Sequence, residues 1–110
     1  MSAITNLTID QGSDFIYFVH VVNSSGNTIN LSSYTANSQI RPSYSSNVFY
    51  SAVLDMTSSA NGQIVMTVNS HTSSLLTNPR YVYDLELTSN TGIVSKLLSG
   101  FVTVNPSVTR

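Results

Sequence analysis

Short runs of β-branched and aromatic residues recur along the whole chain, each closed by a cluster of Ser, Asn, Asp or Gly. Helical spacing of apolar residues is nearly absent. A chain patterned this way has to bury its apolar surface on pleated strands. The runs predict strands over residues 4–9, 15–22, 34–41, 48–54, 63–68, 81–88 and 94–104. Gly12, Gly26, Gly62 and Gly92 fall between runs, where the chain reverses. The pair Asn61-Gly62 predicts a type I′ hairpin turn. Gly100 lies inside the last run, a position that marks a bulge or a close approach of another backbone.

One segment, SHTSSLLTNP, breaks the β pattern. Ser70 is placed to cap a single helical turn over residues 72–76, ended by Asn78-Pro79, with Leu75 or Leu76 plugging one end of the core. About seven short strands at regular spacing, with one such turn, predict an all-β fold: an immunoglobulin-like antiparallel β-sandwich. Strands 34–41 and 81–88 are then sheet neighbours. Tyr81 or Tyr83 is placed to hydrogen-bond back across the corner that precedes its strand. A small up-and-down barrel is the alternative. No linker or repeat separates any part of the 110 residues, so residues 1–110 are expected to form a single domain.

Composition narrows the function. The chain has no cysteine, which removes disulfides and thiolate metal sites. Charged residues are 8% of the total, against about 25% in ordinary globular domains. Net charge is −1, and four cations cannot neutralise a phosphate track, so nucleic acid is not an expected partner. The opening residues carry neither the basic nor the apolar segment of a secretory leader, and no apolar run has membrane-spanning length. A hydroxyl-rich, weakly charged surface favours close association with neighbours.

Few residues invite catalytic readings. Asp84 and Glu86, in YVYDLEL, share a strand face at a spacing of about 7 Å, and two carboxylates so placed suit glycoside hydrolysis. The simpler expectation is structural. Tyr81, Tyr83, Leu85 and Leu87 face the core, while Asp84 and Glu86 lie outside within reach of Arg41 from the neighbouring strand. His20 and His71 share no ligand-like spacing with an acid, and no G-x-S-x-G or glycine-rich phosphate loop is present. The chain is therefore expected to be no enzyme and to hold no cofactor or metal.

The second run is more telling. Phe15, Tyr17, Val19 and Val21 fall on one face, and Ile16, Phe18, His20 and Val22 on the other. A half-exposed strand should alternate apolar with polar, so the second face needs a cover. That cover is either another part of the chain or a partner protein. In the connection RPSYSSNVFY, Phe49 is expected in the core, and Tyr44 joins Ile16, Phe18, His20 and Val22 as a candidate contact residue. Tyr44 and Tyr50 also permit a carbohydrate-binding or adhesion module with aromatic stacking platforms.

The landmarks QGSDF, SSGNTINLSSYTANSQIR, NGQIVMTV, YVYDLEL and LLSGFVTVNPSVTR follow one another in that order. Together they resemble the immunoglobulin-like structural domains of tailed bacteriophages. In those a D-F strand precedes a G-x-x-x-x-L segment, a Q-I-R strand, a G-x-I hairpin, a Y-D-L strand and a closing G-x-V-x-V-x-P-x-V-T-R. The matching residues are Asp14-Phe15, Gly26 to Leu31, Gln39 to Arg41, Gly62 to Ile64, Tyr83 to Leu85 and Gly100 to Arg110. The resemblance implies a non-enzymatic virion component, assembled in the bacterial cytoplasm in many copies or as a homo-oligomer. Its implied partners are other virion proteins, with neither nucleic acid nor membrane among them. Because this chain stops at the V-T-R ending, the expectation is an adaptor of tail, baseplate or neck, or a capsid decoration, without a receptor-binding part.

Overall fold

The computed structural model describes residues 3–23, 25–57 and 59–108. In chain order the strands are β1 (Ala3–Ile4), β2 (Leu7–Asp10), β3 (Phe15–His20), β4 (Thr35–Arg41), β5 (Tyr50–Ser51) and β6 (Val53–Asp55). A 3-10 turn (Ser59–Asn61), β7 (Gln63–Val68), the helical turn α1 (Ser70–Ser74), β8 (Arg80–Thr88) and β9 (Val94–Asn105) complete the order. They form two facing sheets. The larger runs β1-β9-β8-β4-β5, with β2 also on β9, and the smaller runs β3-β7-β6. The fold is the expected all-β sandwich. As expected, β4 and β8 are antiparallel neighbours, with Ile40 opposite Tyr83 and Gln39 opposite Asp84.

Two expected strands divide, each for a visible reason. The run over 48–54 breaks at Ala52, where the chain leaves the larger sheet after β5 and enters the smaller one as β6. The run over 4–9 breaks at Thr5-Asn6, against Gly100. Both halves pair with β9 in parallel, Ala3 opposite Leu98 and Leu7 opposite Val102. Between them the Thr5 carbonyl lies over Gly100, where an added Cβ would sit 2.3 Å from that oxygen. The Asn6 side chain replaces the missing ladder bond by accepting from the Phe101 amide at 3.1 Å. The Tyr83 hydroxyl donates to the Thr5 carbonyl at 2.6 Å. Gly100 thus marks a close backbone approach, one of the two roles its position suggested. The bulge lies nearby instead, at the register shift between Leu85 and Glu86, which pair with Leu98 and Lys96.

The core follows the alternation of the strands. Ile40, Ile64, Met66, Leu85 and Val102 are fully enclosed between the sheets, together with Ile9 from β2. Leu76 plugs the end of the sandwich beyond α1, while Leu75 points to solvent. Asn69, not Ser70, caps this turn: its side chain accepts from the Thr72 amide at 2.8 Å. The turn is pinned to the β2–β3 connection. The Ser73 hydroxyl accepts from the Gly12 amide and donates to the Ser13 carbonyl, and Asp14 accepts from the Ser70 amide. Tyr81 takes the corner role, accepting from the Asn78 amide at 3.1 Å.

Asn61-Gly62 does not make a type I′ turn. That turn needs positive φ at both central residues, and among the described residues only glycines adopt it. Asn61 closes the 3-10 turn, and Gly62, at φ +74°, carries the reversal. Gly62 also admits the Val21 carbonyl to within 2.6 Å of where a Cβ would stand.

Gly100→Ala is expected to destabilise the protein by about 1–3 kcal/mol, the range for overpacking a filled site, as read by chemical denaturation. Burial, with Tyr17 adding to it, pushes the Tyr83 phenol up to about 12, from an ordinary value of about 10. The resulting stabilisation is complete below about pH 10 and is lost as pH rises toward about 12, because the unfolded chain releases this proton first. Tyr83→Phe is expected to flatten that alkaline fall in stability, measured by denaturant titration at a series of pH values.

Candidate interaction surface

The outward side of the smaller sheet gathers the apolar residues that the second run singled out. In β3 Phe15, Tyr17 and Val19 turn toward the core, while Ile16, Phe18 and His20 turn outward. Register extends this outer face across the sheet. Ile16 lies opposite Thr67, which lies opposite Val53; Phe18 lies opposite Val65, which lies opposite Asp55; His20 lies opposite Gln63. Rows about 7 Å apart on strands about 4.8 Å apart set Ile16, Phe18 and Val65 side by side, with Val53 across Thr67 from Ile16. Phe18 is 75% exposed, Val53 62% and Ile16 55%, with Val22 exposed just beyond the strand. No described part of the chain covers them. The intramolecular cover considered from sequence is therefore absent among the described residues.

Polar groups stand around this patch. His20 and Gln63 close one end, and Asp55 sits on the β6 side. The Thr57 amide, followed by the Thr57 side chain, holds the Asp55 carboxyl below its usual range, so it stays ionised. Among the described residues, β3 also has a strand neighbour on one side only. It contains no proline and no Asp, Glu, Lys or Arg, so little in its sequence discourages an added strand.

Tyr44 does not belong to this surface. It stands 77% exposed on the β4–β5 connection and shares an open depression with Arg41, Asp84 and Glu86 on the outer side of the larger sheet. The candidate contact residues therefore separate: Ile16, Phe18, His20 and Val22 on one sheet, Tyr44 on the other. The expected pairing of Arg41 with Asp84 or Glu86 is replaced. One Arg41 nitrogen donates to the Ser46 carbonyl and the other to Gln39 Oε1 at 2.8 Å, while the guanidinium lies 5.0 Å from the centre of the Phe49 ring. Asp84 instead pairs with Lys96 at 3.6 Å; the β8–β9 bulge sets Lys96 opposite Glu86, and its amine reaches diagonally to Asp84. Phe49 is correspondingly an exposed ring under Arg41 and not a core residue. Tyr50 is half-buried, and its ring makes a T-shaped contact with Tyr81 at 6.4 Å between ring centres. Among the described residues no three His, Cys, Asp or Glu side chains are grouped as metal ligands.

No family model matches the chain, and no curated protein matches it significantly. Among solved structures it is similar to a chain in the crystal structure of ICOS in complex with ICOS-L and an anti ICOS-L VNAR domain. The superposition has a TM-score of 0.54 at 13% identity and covers 96% of this chain but 56% of that one. A likeness at this identity speaks for the fold alone, which is immunoglobulin-like.

The two sides of the smaller sheet are expected to respond differently to substitution. Ile16→Ser and Phe18→Ser should each change stability by no more than about 0.5 kcal/mol. Met66→Ala, on the inner side of the same sheet, should cost about 2–5 kcal/mol. Thermal and chemical denaturation of the three variants checks the contrast.

Proposed function

We propose that the chain is a non-enzymatic structural module of a tailed-bacteriophage virion, attached to other virion proteins through the outer side of its smaller sheet. The observation that carries this reading is the apolar patch of exposed Ile16, Phe18 and Val53 around half-buried Val65. A patch of this kind on a sheet face is costly to leave in water and marks a protein contact. The ordered landmarks from Asp14-Phe15 to the closing V-T-R supply the virion part of the reading. A weakly charged, cysteine-free chain suits dense packing in a particle assembled in a bacterial cytoplasm. Adaptor positions in tail, baseplate or neck and a decoration position on the capsid all use such a contact, in many copies. Asp84 is committed to Lys96 on an open sheet face, which supports a structural rather than a catalytic role for the acidic pair.

Mass spectrometry of gradient-purified particles is expected to find the chain as a stoichiometric component. The double variant Ile16→Ser/Phe18→Ser should fold normally yet be missing from particles. Absence of the unsubstituted chain from particles would overturn the virion reading. Normal incorporation of the double variant would overturn the assignment of the contact.

A further inference from the structure

We infer that the depression on the outer side of the larger sheet binds a neutral saccharide. The inference stands apart from the virion reading and uses the sheet that the apolar patch does not.

The site is built mainly from strands. Across β4, β8 and β9, Asn37 lies opposite Glu86, which lies opposite Lys96; one step along, Gln39 lies opposite Asp84. Arg41 and Tyr44 close the end nearest the β4–β5 connection, and the open depression has a volume of about 390 Å³. That lies within the usual range of small-ligand sites, about 300–1,000 Å³. Amides, carboxylates and cationic groups thus alternate on a grid of about 5 Å across strands and about 7 Å along them.

The charges decide the class of ligand. Arg41 and Lys96 balance Asp84 and Glu86, so the depression carries no net charge to select a phosphate or an ammonium group. What it offers is hydrogen-bonding capacity of both kinds. Arg41 commits two nitrogens, to Ser46 and Gln39, and keeps further N–H groups. Lys96 holds a single 3.6 Å ion pair. Among the described residues, the Glu86 carboxylate and the Asn37 amide have no hydrogen-bond or ion-pair partner. Such groups are served by water, and a polyhydroxyl ring replaces water with the same donors and acceptors. The exposed Tyr44 ring beside them supplies an apolar face for the C–H side of a sugar. A ligand of single net charge meets like as well as opposite charges here, and an apolar one leaves these groups unpaired.

The test uses the whole chain on an array of neutral di- to tetrasaccharides built from glucose, galactose, mannose and N-acetylglucosamine. The best binder is then titrated while backbone amide NMR shifts are followed. Binding is expected at a Kd of about 1 mM, with shifts centred on Asn37, Gln39, Tyr44, Glu86 and Lys96 and little dependence on salt. Tyr44→Ala and Glu86→Gln should each weaken it about tenfold, a change of 1.4 kcal/mol, with the amide spectrum showing the fold intact. Phe18→Ser should leave it unchanged. No binder on the array, shifts that map elsewhere, affinity that collapses with salt, or binding indifferent to both Tyr44→Ala and Glu86→Gln would each overturn the inference.

Discussion

The larger sheet depends on one close approach between backbones. β9 is its spine, paired antiparallel to β8 on one side and parallel to β1 and β2 on the other. The first and last strands can lie together only because the Thr5 carbonyl passes over a residue without a side chain. The Tyr83 hydroxyl and the Asn6 side chain then satisfy the groups that this crossing leaves out of the ladder. Remove that tolerance and the inward residues of β2, Leu7 and Ile9, lose the position from which they close the core. An interior packed like a crystal has little slack to absorb such a shift.

The two outer surfaces divide the chain's chemistry. One is apolar, patterned by Ile16, Phe18, Val65 and Val53; the other is polar, patterned by Asn37, Gln39, Asp84, Glu86 and Lys96. Because successive side chains on a strand point to opposite faces, each sheet shows its own character outward while both contribute apolar residues inward. A chain with few charges can in this way present two unlike surfaces on a small fold.

What the sequence made legible is what depends on neighbours along the chain. The apolar runs located the strands, the glycines located reversals, and the two-faced second run pointed to a surface that is indeed exposed. What escaped it depends on partners brought together by folding. Arg41 was expected to meet an acid, yet Gln39, Ser46 and Phe49 hold it, because a loop folds back over the end of β4. Lys96 reaches Asp84 through a bulge whose extra residue no local pattern announces. Tyr44 and Tyr50, six residues apart, end in opposite environments: one stands in solvent, the other packs on Tyr81. The cap of α1 moved by one residue because Asn69 is extended and reaches forward to Thr72, while Ser70 gives its amide to Asp14. Asn61-Gly62 misled for a related reason: the Gly62 amide donates to the Ser59 carbonyl and its own carbonyl accepts from the Val21 amide, and the local dipeptide preference yielded.

The parallel pairing of β2 with β9 has a mechanical consequence. An opposed pull on the two ends of the described chain draws these strands in opposite directions along their common axis. The ladder from Leu7–Val102 to Asp10–Asn105 is then loaded in shear, with its rungs sharing the force together, and does not unzip rung by rung. The four residues of β2 thereby act as a clamp between the two ends of the described chain.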